Sequence, residues 1–498
     1  MFLTEESRQQ LCPVLFVGLA AFVFNLSELS SFDVWYHLSL GRQISESGSV
    51  PRANILSYTA PEHPGPSLSW FFQWLIFQLH RAGGVGAVIV FRSLVVAAIL
   101  ALLLATMRAR GTDLLTAMVM LGLGAVAVRS RFVDRPQILG YLMMALMVFA
   151  LERFRSRSNA ARDDQVSLIK SGGWLFAGMA GIQIVWCNSH GSAILGVIVA
   201  LVYVLGTLFD RFVIKRKTAA DFRVFCICLA VVVLVSWLNP DRWRILSYPF
   251  THAHAFESEG TKDFFVERIT LEPSSLYQEH LAFSLIMLFG LLSAVLAWRK
   301  LSFVDIGLLA SMGAVFLSAR FLGEAIIFIT PVAAGLISCL AGLGLERLLE
   351  KERIRGIVGC AALIGLLVLS ACLDGRRAGL KISADYPIGA IEYVKENGLS
   401  GRVFNDFELG GFLAWHGYEV FMDSRGPVFY PSDLFRKYLD VIDRRYPQKS
   451  VQSLRELESR YGFTVAVVNH YMPIKLFRQS PQWQEVYSTS SATVFVKQ

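Results

Sequence analysis

The stretch VGAVIVFRSLVVAAILALLLATM, residues 85–107, decides the class of fold because it is apolar over almost its whole length. A helix that crosses a bilayer needs about 20 mostly apolar residues, and similar runs recur along the chain. The candidate spans are 11–29, 85–107, 113–128, 137–151, 173–189, 191–209, 223–239, 281–298, 302–318, 323–345 and 356–372. The sequence therefore predicts a polytopic α-helical membrane protein with about eleven transmembrane helices.

The composition agrees with a chain that faces lipid. Of its 498 residues, 54% are hydrophobic and only 17% are charged, whereas soluble domains carry about 25% charged residues. The net charge is +8, but the basic residues cluster in short loops between apolar runs. That distribution is a signal of membrane topology, and it argues against a nucleic-acid partner.

The basic loops alternate with loops of mixed charge, which predicts the orientation of the chain. Lysine and arginine are enriched in cytoplasmic loops close to the ends of spans. The basic loops are 108–110, 153–170, 211–223, 299–300 and 347–355. With these loops inside, the N-terminus is cytoplasmic. The predicted division is a transmembrane domain over 1–372, with a first extracytoplasmic loop at 30–84, and an extracytoplasmic domain over 373–498.

The tail, residues 373–498, is about as polar as a soluble domain and alternates helix-like with strand-like segments. Short apolar runs at Val403–Phe404, Val420–Phe421 and Val465–Val468 are typical of buried strands. Glycines separate these runs from their neighbours, as in turns. The patterns predict a small α/β domain outside the membrane.

The first outside loop opens with SSFDVWYHL, residues 30–38, just past the end of the first predicted span. Asp33 is the carboxylate of this segment, and a well-placed carboxylate can take the proton from an attacking hydroxyl. Trp35 and His37, with the tyrosine between them, could stack on a sugar ring. An interfacial aspartate beside an aromatic belt is the alternative, and the residues alone leave both open.

A second outside segment, RSRFVDRPQ, carries arginines suited to a phosphate. Arg131 and Arg135 lie in it on either side of Asp134. A guanidinium group donates two parallel hydrogen bonds, which matches the geometry of a phosphate. The alternative is an ion pair between Asp134 and an arginine that only closes the hairpin.

Two more outer junctions, SARFLGEA and WCNSHG, carry polar side chains at the ends of apolar runs. In the first, Arg320 and Glu324 are four residues apart on one helix face. They either pair with each other or line the same cavity, with Arg320 on a phosphate. In the second, Asn188 and His190 stand beside a turn, where a structural role is the commoner one for a single histidine.

In the tail, polar residues follow two of the predicted strands. Asn405 and Asp406 come after the first of them, and Asp423 and Arg425 after the second. They would cluster if the strands are neighbours. A hydrogen-bond network that holds the fold is favoured over catalysis for this cluster.

These motifs, in this order, resemble those of bacterial membrane proteins of the class C glycosyltransferase superfamily, relatives of protein O-mannosyltransferases and lipid A aminoarabinose transferases. The family pattern has D-x-D-x-W-x-H-x-x-x-G-x-x-I and S-x-T in the first loop, then R-P-Q, W-x-N-x-H-G, N-D-x-x-x-G-G-x-L and D-x-R. The matching positions are Asp33, Trp35, His37, Gly41, Ile44, Ser57, Thr59, Arg135, Pro136, Gln137, Trp186, Asn188, His190, Gly191, Asn405, Asp406, Gly410, Gly411, Leu413, Asp423 and Arg425.

The resemblance implies a helical membrane core with an extracytoplasmic domain, in the inner membrane of a bacterium. The expected reaction is inverting transfer of a sugar from a polyprenyl-phosphate-linked donor to a glycan, lipid or protein acceptor. Asp33 is the expected base. The residues expected to bind substrate or the lipid phosphate are Arg131, Arg135, Arg320, His37, Trp35, Asn188, His190 and Glu324.

No metal-ligating residues are predicted and no cofactor is certain, although a divalent metal stays open as an alternative. Relatives often carry a second acid two residues before the expected base, where this chain has Ser31. That departure favours a metal-independent reaction, or no reaction, over binding of a divalent metal. His252, His254, Glu257 and Glu259 combine metal-ligating side chains, but their spacing fits no established zinc pattern.

The main alternative to an enzyme is a non-catalytic scaffold or partner subunit of an envelope polysaccharide or secretion system, with the tail as its docking domain. A transporter is a third hypothesis. Transporters often show broken helices in two repeated halves, and this sequence contains no such repeat.

Overall fold

The computed structural model describes residues 5–66, 68–160, 165–215, 222–258, 280–341 and 352–498. In chain order, the α-helices of these residues are α1 (Glu5–Phe24), α2 (Asp33–Ser47), α3 (Trp70–Ala109), α4 (Leu114–Ala127), α5 (Gln137–Ala160), α6 (Gln165–Ser189), α7 (Ile194–Phe212), α8 (Phe222–Val235), α9 (Arg244–Ser258), α10 (Leu281–Leu296), α11 (Phe303–Leu309), α12 (Ser311–Leu317), α13 (Leu322–Ala341), α14 (Glu352–Asp374), α15 (Ile388–Glu396), α16 (Gly410–Trp415), α17 (Ser432–Ile442), α18 (Pro447–Tyr461) and α19 (Tyr471–Gln479). The strands are β1 (Val403–Asn405), β2 (Val465–Val468), β3 (Trp483–Ser488) and β4 (Thr493–Lys497).

Helices occupy every apolar run that the sequence marked as a candidate span, which confirms the helical membrane character of the chain. Five are long and apolar enough to cross a membrane within the described ranges: Trp70–Ala109, Gln137–Ser158, Gly191–Phe212, Leu322–Leu340 and Ile354–Asp374. Several shorter apolar helices accompany them. The total of about eleven spans stays a prediction.

Helix α3 is longer than the apolar run that predicted it, and it is kinked. The run began at residue 85, but the helix begins at Trp70. Its backbone leaves the helical region at Gly83 and at Gly84, where φ is +61° and ψ is −155°. A side chain at Gly84 would be strained in that conformation. The two glycines therefore mark the change from the loop part of the helix to the predicted span.

The chain divides into two compact units. The first unit contains Met1–Ser27, Val90–Ser247 and Lys262–Ala378. The second unit contains Glu28–Ile89, Tyr248–Thr261 and Gly379–Gln498. The loop that follows α1 thus belongs to the same unit as the tail.

In the first unit, helices pack closely where glycines leave room. A Cβ at Gly122 of α4 would come within 2.6 Å of Leu366 Cδ1 of α14. Conversely, a Cβ at Gly359 of α14 would lie 3.3 Å from Leu115 Cα of α4. Small residues let membrane helices approach until their backbones almost touch, so van der Waals packing holds α4 against α14.

The first unit also buries a balanced group of charges. Arg110 lies 3.1 Å from Glu152 and 2.5 Å from Asp305. Arg155 lies 2.9 Å from Glu152, which also accepts a 2.5 Å hydrogen bond from Tyr203 Oη. Two cations and two anions are therefore buried together, which avoids the high cost of a single unpaired charge.

The second unit contains the small C-terminal sheet that the sequence predicted. Its strand order is β1-β2-β4-β3, with β1 parallel to β2 and the other pairs antiparallel. Two isolated bridges extend it at the β1 edge, from Val403 to Val420 and from Val420 to Ser57. Ser57 Oγ and Thr59 Oγ1 each donate a 2.7 Å hydrogen bond to the Phe421 carbonyl. The S-x-T motif of the first loop therefore fastens that loop to the tail.

Candidate functional site

Asp33 is the first residue of α2 and is half-buried. The start of a helix favours a negative charge because its backbone N–H groups and dipole point there. Ser424 Oγ, from the tail, donates a short hydrogen bond to Asp33 Oδ1. The proposed base thus lies at a helix start with a hydroxyl donor on one of its oxygens.

The aromatic residues beside Asp33 pack inside the second unit. Trp35 is only 2% exposed. Its ring meets Phe412 edge-on at 5.1 Å and Tyr386 at 5.7 Å between centroids. His37 is also buried, with Nδ1 3.3 Å from Gln73 Nε2. The predicted stacking of Trp35 and His37 on a sugar stays a prediction, and their observed contacts orient α2.

The tail motif D-x-R forms a buried ion pair. Arg425 donates from Nε to Asp423 Oδ1 at 2.7 Å and from Nη2 to Asp423 Oδ2 at 2.6 Å. Tyr430 Oη donates to Asp423 Oδ2 at 2.9 Å and accepts from the Asp423 backbone N–H at 2.8 Å. Arg425 Nη2 also donates to Asn54 Oδ1. All the charge in this turn is therefore compensated.

Burial and charge shift the pKa values of Arg425 and Tyr430. Burial by itself would lower the pKa of Arg425, but the adjacent Asp423 carboxylate outweighs it and the pKa lies above its ordinary value. Burial raises the pKa of Tyr430, and the charge of Asp423 raises it further. Tyr430 is therefore a neutral hydroxyl donor at physiological pH.

The other tail motif also makes fold-holding hydrogen bonds. Asn405 Nδ2 donates to the Met422 carbonyl at 2.8 Å, and Oδ1 accepts from Phe421 N–H at 2.8 Å. Asp406 Oδ2 accepts from the backbone N–H of His470 at 2.7 Å. Asn405 is the last residue of β1 and Asp406 follows it, so these contacts join the end of β1 to the segments beside it.

In the first unit, Asp134 pairs with Arg92, a residue outside the RSRFVDRPQ segment. The two side chains are 2.6 Å apart and each is 1% exposed. Arg92 also donates to the backbone carbonyls of Asn25 at 3.0 Å and Ser27 at 2.5 Å. Sequence reasoning missed Arg92, although a lone charge within an apolar run is a strong signal. This pair fixes the end of α1.

The structure brings several predicted site residues of the first unit together. Glu324 is buried and lies within electrostatic range of Arg131 and Arg320. Arg320 is also within electrostatic range of His190. Among the described residues, Glu324 Oε2 makes no hydrogen bond. This group combines two guanidinium cations with one buried carboxylate.

Asn188 and His190 hold their own helix junction. Asn188 Nδ2 donates to the Ile184 carbonyl at 2.8 Å. His190 Nδ1 lies 2.7 Å from Ser192 Oγ, which also accepts from Trp186 Nε1 at 3.1 Å. Both residues therefore have structural contacts, and their predicted role in lining a cavity stays a prediction.

An apolar cleft of the first unit extends from the residue before Glu324. It is lined by Ile99, Leu100, Leu103, Leu121, Gly124, Val128, Phe132, Tyr141, Gly323, Ile326, Ile327 and Thr330. The cavity is small, with room for about one water molecule, and its walls are almost entirely hydrocarbon.

Within the described ranges, no three His, Cys, Asp or Glu side chains are grouped so that they could hold a metal ion. Glu259 and the side chains of His252, His254 and Glu257 lie outside what the structure describes.

No protein-family model and no curated protein matches the sequence, but the fold is similar to solved structures. Archaeal oligosaccharyltransferase AglB from Archaeoglobus fulgidus, with an inhibitory peptide and a dolichol-phosphate, gives a TM-score of 0.53 at 12% identity, covering 93% of this chain and 70% of that chain. The same organism's oligosaccharyltransferase tethered to an acceptor peptide gives 0.61 at 11% identity, covering 93% and 69%. ArnT from Cupriavidus metallidurans gives 0.53 at 12% identity, covering 99% and 98%.

These proteins are class C glycosyltransferases, so the resemblance inferred from the motifs is confirmed at the level of the fold. At 11–12% identity, the similarity is one of fold alone. The apolar helices of this chain and the similarity to these proteins both support its being a membrane protein. A shared fold does not by itself assign a reaction, which depends on the residues of the site.

Proposed function

We propose that this chain is a membrane glycosyltransferase that moves a sugar from a polyprenyl-phosphate-linked donor to an acceptor outside the inner membrane of a bacterium. The N-terminus is cytoplasmic, residues 1–372 form the membrane domain, and residues 373–498 are extracytoplasmic. The acceptor is a glycan, a lipid or a protein. The loop charges support this orientation through the positive-inside rule.

One observation carries the proposal. Asp33 is a half-buried carboxylate at a helix start, held by a tail hydroxyl, in a fold that known glycosyltransferases share. Asp33 is partly accessible to solvent, and the Ser424 hydroxyl holds it in position. A general base needs both properties. In contrast, the acids of the tail motifs, Asp406 and Asp423, are fully buried and accept hydrogen bonds from His470 N–H and Arg425 respectively.

The proposed reaction is a direct displacement. The acceptor hydroxyl attacks the anomeric carbon as Asp33 takes its proton. The new bond joins the acceptor oxygen to that carbon, and the bond from the carbon to the phosphate oxygen breaks. The electron pair leaves with the polyprenyl phosphate, and attack from the opposite side inverts the anomeric configuration. General-base assistance of this kind contributes about 10²–10⁴-fold to the rate.

Arg131, Arg135 and Arg320 are proposed to stabilise the departing phosphate, because guanidinium groups bind phosphate oxygens in pairs. Glu324 lies within electrostatic range of Arg131 and Arg320. In its ionised form Glu324 offsets one of their two positive charges when no phosphate is present. An AglB structure that contains a dolichol-phosphate supports a lipid phosphate as the carrier.

The test is a transfer assay on the full chain in nanodiscs, with radiolabelled polyprenyl-phosphate mannose, glucose, galactose and aminoarabinose as probes. Acceptors come from envelope membranes of a strain that lacks the chain. Asp33→Asn should reduce transfer of label by at least about 100-fold. The matched control is Asp433→Asn, which removes an exposed carboxylate paired with Arg460 and should leave transfer unchanged.

Equal activity of wild type and Asp33→Asn would overturn the role of Asp33. The scaffold alternative makes a different prediction. Under it, no probe transfers label with the wild type, and deletion of residues 373–498 abolishes co-purification of a partner protein.

A further inference from the structure

The side chain of Ser424 lies between two residues that are themselves locked in place. Asp423 and Arg425 flank it, and their buried ion pair fixes the turn through contacts of 2.6 and 2.7 Å. Ser424 is half-buried, whereas its two neighbours are at most 8% exposed. Its hydroxyl donates to Asp33 Oδ1. The ion pair therefore positions a single hydroxyl group relative to Asp33.

The turn is anchored to the first loop by a second set of contacts. Asn54 accepts from Arg425 Nη2 and donates from Nδ2 to the Phe429 carbonyl at 3.0 Å. The Arg425 guanidinium also stacks on the Phe429 ring, 4.7 Å from its centroid. Because Asn54 and Phe429 both hold Arg425, the turn cannot tilt away without breaking several buried contacts.

Two tail glycines let α16 pack closely, Gly411 against α2 and Gly410 against the segment that carries Asp423. A Cβ at Gly411 would lie 2.8 Å from the backbone nitrogen of Tyr36, in the first turn of α2. A Cβ at Gly410 would lie 2.0 Å from the Met422 carbonyl oxygen and 2.9 Å from Asp423 Cα. Only glycine permits α16 to approach both the start of α2 and the turn that carries Ser424.

We propose that Ser424 is a positioning residue for the transfer reaction, and that the buried turn Asp423–Gly426 and the glycine pair of α16 exist to hold its hydroxyl against Asp33. This inference rests on the proposed role of Asp33 as base. Ser424 does not itself touch the reacting atoms. It fixes the carboxylate in one rotamer, so that the proton-accepting oxygen meets the acceptor hydroxyl in a defined direction.

The first test is kinetic and uses the probe that the nanodisc assay identifies. Ser424→Ala should lower kcat by about 10- to 100-fold, the worth of a hydrogen bond to a charged group. KM should stay within about twofold, because Ser424 makes no contact with substrate. Ser424→Thr retains the hydroxyl and should keep most of the activity. The matched control is Ser383→Ala, which removes a 2.9 Å serine–aspartate hydrogen bond to Asp385 in the same unit.

A purely structural role gives a different pattern. The variant would then lose folded protein and unfold at a lower temperature, while kcat per folded molecule stayed at the wild-type value. That result overturns the proposal, as does equal loss in Ser424→Ala and Ser424→Thr with unchanged thermal stability. If Asp33→Asn is fully active, the proposed function itself fails, whatever Ser424→Ala does.

A second test needs no activity. All seven cysteines of the chain belong to the first unit, so the pair Asp33→Cys with Ser424→Cys can be read without interference in peptides of the second unit. A short bifunctional methanethiosulfonate should link these positions in the full chain. The control pair, Gln43→Cys with Ser424→Cys, should not be linked, because Gln43 is ten residues further along α2, about 15 Å away. Absence of the 33–424 link in a stably folded variant would overturn the geometry.

Discussion

Replacing Arg425 by methionine should strongly destabilise the second unit. The side chain of Arg425 is 4% exposed and that of Asp423 is fully buried, with 2.6 Å between their charged atoms. Methionine has a similar length but no charge, so the variant leaves Asp423 as a buried anion without a counter-ion. Breaking a buried pair from one side costs about 3–5 kcal/mol.

The expected size of the effect can be converted to a temperature. For a unit of 150–250 residues, 1 kcal/mol corresponds to roughly 2–4 °C in Tm. A loss of about 4 kcal/mol should therefore lower the unfolding temperature of the second unit by about 8–16 °C. The assay heats the full chain in nanodiscs, applies brief proteolysis, and follows peptides from 379–498 by mass spectrometry.

Two comparisons make the measurement decisive. The double variant Asp423→Asn with Arg425→Met removes both charges and keeps an acceptor for Tyr430, so it should regain at least half of the loss. Arg460→Met breaks an exposed pair whose side chains are 53% and 56% accessible, which should cost less than about 1 kcal/mol. A change below about 2 °C for Arg425→Met alone would refute the reasoning.

Two further predictions concern the same unit. Burial lowers the pKa of His470, but the carboxylate of Asp406, 3.2 Å from Nδ1, outweighs it and the net pKa is raised. The stabilisation from this pair should be complete below the ordinary histidine pKa of about 6.5 and should fade as pH rises through the raised value. The difference in Tm between wild type and His470→Gln should therefore shrink from pH 6 to pH 9, and a constant difference would contradict this. Ser57→Ala should cost under about 1 kcal/mol, because Thr59 still donates to the same carbonyl, whereas the double variant Ser57→Ala with Thr59→Val should cost about 2–3 kcal/mol. Strict additivity in thermal unfolding would argue against the shared acceptor.

The helices could be predicted from sequence because a long apolar run leaves the backbone few alternatives to a helix in lipid. Their ends were harder to predict. The span expected over 85–107 follows a break at Gly83 and Gly84, and an additional helical segment precedes that break from Trp70. That segment is aromatic and polar rather than continuously apolar, so the apolar run did not predict it. The run 302–318 is divided into α11 and α12 at Ala310. Hydropathy reports burial in lipid and carries little information about such breaks.

The candidate site could be predicted in part. Asp33 was identifiable because an acid beside aromatic residues at a span end is uncommon. Ser424 and Asn54 were not identified, because each acts through a partner more than 370 residues away in the chain. Ser424 is also an ordinary serine between two motif residues, so only the three-dimensional contact distinguishes it. Arg92 was missed for a different reason, since it stood inside the run that defined a span.

The most direct test of the central claim is release of polyprenyl phosphate by the purified chain. Protein in nanodiscs is mixed in a single turnover with the polyprenyl-phosphate sugar that the panel identifies and with acceptor membranes, and free polyprenyl phosphate is followed by mass spectrometry. The wild type should release polyprenyl phosphate only when acceptor is present, and its product should have the inverted anomeric configuration. Asp33→Asn should release it at least about 100-fold more slowly. Release at the wild-type rate from Asp33→Asn would show that Asp33 is not the base.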